Sequence, residues 1–122
     1  MKSGTGKERY IRLPHWAEVK WRVREEIDNA YSFELKAMEH RASEAALRIP
    51  GFAFETTEEP PMAACIQLEI RLSEDTLPAR PLVRVVNIES DDAGGPFRVE
   101  GNFLATGEKD MKELAQFVRK YF

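Results

Sequence analysis

The chain has 122 residues, 43% of them hydrophobic and 32% charged, which fits one domain (1–122) and excludes a disordered tail or a collagen-like fibre. Its single cysteine, Cys65, excludes an intrachain disulfide framework and a thiolate metal cage. No apolar run approaches the ~18–20 residues that span a bilayer, and the polar opening Met1–Lys7 does not resemble a secretory signal, so a cytoplasmic protein without membrane insertion is expected. The net charge of −3 is unevenly spread. Residues 1–24 hold seven Lys/Arg against two Glu, a balance of +5, and the remainder holds eleven against nineteen, a balance of −8. An acidic body with a basic head argues against a nucleic-acid polymer as partner, while the basic arm, residues 1–15, suits one small anion.

In chain order, Ala17–Arg24 alternates Ala, Val, Trp and Val against charged residues, the pattern of a half-buried strand. Residues 25–48 are rich in strong helix formers. Within them and just beyond, Tyr31, Leu35, Met38, Ala42, Ala45 and Ile49 recur at a spacing near 3.5 residues. This predicts an inserted helix with an apolar seam, although Ser32–Ala37 also reads as a period-two strand. Phe52–Thr56 is a short aromatic strand ended by Pro60-Pro61. Cys65–Leu72 alternates cleanly, Leu82–Ile88 is β-branched, and Phe97–Leu104 alternates again with Gly101 as a bulge or bend. These last three runs predict a meander. Closure into a barrel would spare such short strands their open edges.

The C-terminal segment is a predicted helix over 108–121. Met111, Leu114, Ala115, Val118, Tyr121 and Phe122 draw one apolar stripe. Glu108 and Asp110 at its start and Arg119 and Lys120 near its end complement the helix dipole. The fold class is therefore mainly β with α: a small antiparallel barrel, a C-terminal helix and an inserted helix after the first strand.

The order of these pieces resembles the PilZ domain, a bacterial β-barrel family that receives cyclic di-GMP. The resemblance runs through Val19–Val23, Gly51-Phe52-Ala53-Phe54-Glu55-Thr56, Ile66–Leu72 and Val83–Val86. It continues through Val99-Glu100-Gly101-Asn102-Phe103 and Leu114–Val118, leaving out only 25–48. It implies ligand contacts from two motifs. The first, Arg-x-x-x-Arg before the first strand, is represented by Arg9 and Arg12, one residue too close. The second, Asp/Asn-x-Ser-x-x-Gly, has two registers: keeping Gly51 puts Ala46 and Arg48 at the first two places, and keeping Ser43 puts Ala46 at the glycine. Neither preserves the set.

The departures matter physically. A guanidinium can pair with phosphate or bond the O6/N7 edge of guanine, while short Asp/Asn and Ser side chains supply compact bonds beside a Gly that admits the ligand. Each charge-assisted bond lost costs roughly 1.5–3 kcal/mol, so two losses weaken binding by orders of magnitude.

Other chemistry is sparse. Gly4-Thr5-Gly6-Lys7 lacks the spacing and setting of a phosphate loop, and His15 and His40 have no partners at metal spacing. No catalytic residue, metal site or cofactor is expected. Two functions follow. One is a non-enzymatic PilZ-type signalling or adaptor domain with weak or no ligand binding, which self-associates or meets a partner protein through the 25–48 helix. The other is a working cyclic di-GMP receptor that uses Arg9 and Arg12.

Overall fold

A computed structural model describes residues 10–36, 48–90 and 94–122. Its strands are β1 (Ile11–Arg12), β2 (Glu18–Val23), β3 (Tyr31–Ser32), β4 (Leu35–Lys36) and β5 (Arg48–Ile49). They are followed by β6 (Gly51–Thr56), β7 (Cys65–Arg71), β8 (Leu82–Ser90), β9 (Phe97–Ala105) and the helix α1 (Glu108–Tyr121). The main sheet runs β1-β6-β9-β8-β7-β2, with β3 paired to the end of β9, and β4 and β5 form a separate ladder.

The expected meander is present as β7-β8-β9, each strand antiparallel to the next. The sheet as a whole is mixed, because β1 lies parallel to β6, with Ile11 opposite Phe52 and Arg12 opposite Ala53. That pairing corrects the all-antiparallel expectation. β1 reaches β6 from a distant part of the chain, so no hairpin imposes its direction.

The sheet curls until β2 and β6 approach, where the Trp21 indole N–H donates to the Thr56 hydroxyl at 3.0 Å. Inside the curl lie Phe52, Ile66, Leu68, Ile70, Val83, Val85, Val99 and Phe103, all fully buried. They are the inward residues of alternating strands, as the period-two pattern requires. The helix α1 packs on this core through Leu114 and Val118, and Phe117 meets Phe52 edge-on with 6.4 Å between ring centres. Asp110 accepts hydrogen bonds from the Thr106 backbone N–H at 2.9 Å and from its hydroxyl at 2.6 Å, which ties the first turn to the end of β9. Both bonds hold the Asp110 carboxyl below its ordinary range, the hydroxyl most.

The bulge falls on β8 rather than at Gly101. Val85 faces Gly101 and Asn87 faces Glu100, leaving Val86 as the extra, exposed residue. A β-carbon on Gly101 would come within 2.6 Å of the Val83 side chain, so this glycine serves strand packing.

The inserted helix is not formed where the segment is described. After β2 the chain turns at Glu25-Glu26, crosses the outer face of the sheet, and enters β3 and β4. Ile27 and Ala30 cover a small outer cluster of Cys65, Leu82 and Leu104. Phe33, Leu35 and Ile49 pack against the main core, with Leu35 opposite Ile49 in the β4–β5 ladder. Helix propensity is worth a few tenths of a kcal/mol per residue, and the open end of β9 plus burial of three apolar side chains outweighs it. The seam is therefore divided. Tyr31 lies on β3, its hydroxyl 3.2 Å from the Met111 sulfur of α1, Leu35 and Ile49 face inward, and Met38, Ala42 and Ala45 lie outside the described residues.

Candidate functional site

Because Val99, Gly101 and Phe103 are buried, the alternate residues Arg98, Glu100 and Asn102 of β9 face outward. Register carries the same face to the neighbouring strands. Glu100 lies opposite Ala53 of β6 and Asn87 of β8, and Arg98 lies opposite Glu55 and Glu89. On the far side of Ala53, β1 supplies Arg12. The methyl side chain of Ala53 keeps the floor low between Arg12 and Glu100.

Residues 10–13 are held firmly onto this face. Tyr10 donates its hydroxyl to the Asn102 side-chain oxygen at 2.6 Å, and the Leu13 backbone N–H donates to the Ala53 carbonyl at 2.8 Å while its side chain is buried. Burial first, and then Glu100 and Glu34, push the Tyr10 phenol above its ordinary pKa. A turn at Pro14, closed by the Ala17 N–H at 3.0 Å, brings His15 to the rim. The result is a groove of about 540 Å³ bordered by Arg12, His15, Glu55, Glu89, Arg98 and Glu100.

Its charges are mixed. Arg98 pairs with Glu89 at 3.6 Å, and the Asn87 amide donates to Glu100 at 3.5 Å. Two guanidiniums thus share the groove with three carboxylates. A carboxylate ~6 Å from a bound phosphate opposes it by roughly 0.7 kcal/mol in water and about 3 kcal/mol at an effective dielectric of ~20. The arrangement suits a ligand or protein surface bearing both signs of charge better than a dianion.

Of the residues implied by the PilZ resemblance, Arg12 is the one at this groove. Arg9 and Ser43 lie outside the described residues. Arg48, at the serine place of one register, is exposed on β5 and engaged by Glu34 at 3.5 Å. Gly51 is buried at the start of β6, and a β-carbon there would come within 1.7 Å of the Gly101 carbonyl oxygen. That glycine permits two backbones to approach, a role separate from admitting a ligand. Sequence reading missed Tyr10, Asn87, Arg98 and Asn102, yet the alternation of 97–104 already marked the outward residues of β9. What it lacked was the neighbour of β1.

Comparisons with family models, curated proteins and solved structures found no match to this chain. No helix among the described residues is long and apolar enough to cross a membrane.

Proposed function

We propose that this chain is a cytoplasmic, non-enzymatic signalling domain of the PilZ type that binds cyclic di-GMP weakly or not at all and acts through contact with a partner protein. The observation that carries this reading is the outer groove, where Glu55, Glu89 and Glu100 stand beside Arg12 and Arg98. A ligand with two phosphates meets repulsion there. The substitutions at the second motif point the same way: Arg48 brings bulk and a Glu34 partner where a serine hydroxyl is wanted. Weak ligand binding leaves protein contact as the working output of a domain of this type. The described part of the seam gives no support to self-association, since Leu35 and Ile49 are spent on the chain's own core.

Calorimetric titration with cyclic di-GMP tests the reading. Little or no heat of binding is expected with protein at roughly 50 μM. Binding in the low-micromolar range overturns it in favour of a receptor. In that case Arg9→Ala and Arg12→Ala should each weaken affinity by roughly tenfold or more.

A further inference from the structure

A second groove, of about 770 Å³, lies between α1 and the loop that joins β7 to β8, away from the one bordered by Arg12. Its apolar lining includes Ile27, Leu77, Pro81, Leu82 and Phe117, and Leu77 stands 91% exposed at its lip. Three cations border it: Arg24, Arg80 and Lys120. A smaller hollow of about 190 Å³ adjoins it across Gln67 and Arg80 and adds Lys20 and Arg22.

Gln67 organises these arginines. Its side-chain oxygen accepts from Arg24 and, at 3.4 Å, from Arg22, while its amide donates to the Arg80 carbonyl at 3.2 Å. A neutral amide thus holds two guanidiniums in place without neutralising either. Four carboxylates share the surface. Glu26, exposed, pairs with Arg24, and Glu69, half-buried on β7, lies 3.9 Å from Arg80. Asp110 is committed to Thr106, and Glu113 is exposed on α1. Exposed ion pairs contribute little, so Glu26 can be exchanged for a carboxylate of an incoming chain at small cost, while Glu69 stays in place beneath Arg80.

We infer that this groove, with the arginines gathered on Gln67, docks an acidic segment of a partner protein that carries an apolar anchor residue. The inference rests on the reading that the chain acts through protein contact, and it names the surface and the partner's chemistry. An apolar floor beside fixed cations fits both parts of such a segment, whereas a small inorganic anion would leave the floor unused. Across the two hollows five cations meet these four carboxylates, a local excess of one positive charge on a chain whose net charge is −3.

The test is selection of random short peptides displayed on phage against the immobilised 122-residue chain. Enriched peptides are expected to combine carboxylates with an aliphatic or aromatic residue, and their binding should weaken with added salt. Arg24→Glu and Arg80→Glu should each lower affinity roughly tenfold or more. Gln67→Glu should do the same by placing a carboxylate among the arginines, and it remains informative if an arginine variant fails to melt cooperatively. The inference is overturned if no peptide is enriched, if the enriched peptides lack carboxylates, or if all three variants bind them as well as the parent chain. Displacement of the peptides by equimolar pyrophosphate also overturns it, since that marks a simple anion site. Tight cyclic di-GMP binding in calorimetry would defeat the weak-binding reading alone and leave these peptide results standing.

Discussion

The two faces of the one curled sheet are built on different terms. The inner face packs Phe52, Ile66, Leu68, Ile70, Val83 and Phe103 without exposure, and α1 covers it. The outer face has a thin cover, Ile27 and Ala30 over Cys65, Leu82 and Leu104, and carries the charged groove bordered by Arg12, while the second groove opens from that cover toward α1. A site buried on all sides cannot relax when atoms are removed, whereas a thinly covered one can collapse or admit water. Stability should therefore concentrate inside and recognition outside, where charges vary at little cost to the fold.

The sharpest way to break this contrast is to truncate adjacent residues of β9 that point to opposite faces. Phe103→Ala should cost about 3–5 kcal/mol, and Leu104→Ala about 2 kcal/mol, near the low end for such truncations, because its cover can settle. Equal losses in denaturant melts would show that the outer cluster is as rigid as the core. A smaller effect probes the closure of the curl. Trp21→Phe keeps the ring but removes the bond to Thr56, and a loss of about 1 kcal/mol is expected. No change would mean that β2 and β6 are held by packing alone.

Asp110 tests how α1 is fixed to β9. Its carboxyl is held below the ordinary value near 3.8, so its contribution is fully present above that pH and is lost as pH falls through the lowered folded value. Asp110→Asn should therefore melt at a lower temperature than the parent near neutrality, with the gap closing in strong acid. A gap independent of pH would assign the effect to packing. The smallest effect is expected at Ala63, whose φ of 68° lies in the left-handed region. Ala63→Gly relieves that strain and adds unfolded-chain freedom, for a net gain of about 0.5 kcal/mol in a thermal or denaturant melt.

The same contrast decides how legible each part was. Strands β6 to β9 and α1 each carry a full apolar period of their own, so Phe52–Thr56, Cys65–Leu72, Phe97–Leu104 and 108–121 could be read locally. The 25–48 segment was ambiguous, since Ser32–Ala37 also carried a period-two pattern and the described β3 and β4 fall on part of it. Its helix formers satisfy a helical template, but Phe33 and Leu35 turn inward with Ile49 from across a gap in sequence. At the outer groove, the carboxylates Glu55, Glu89 and Glu100 fall on three strands and looked like ordinary solvated positions until register aligned them.

By itself, the sequence determined the mainly-β class, the meander, the terminal helix and the inward residues, because alternation and helical periodicity are properties of short windows. Tertiary structure alone decided the parallel docking of β1, the fate of residues 25–36, and which charges share a groove. Those outcomes depend on which open strand edge and which apolar surface a distant segment meets, and no local window of sequence contains its partner.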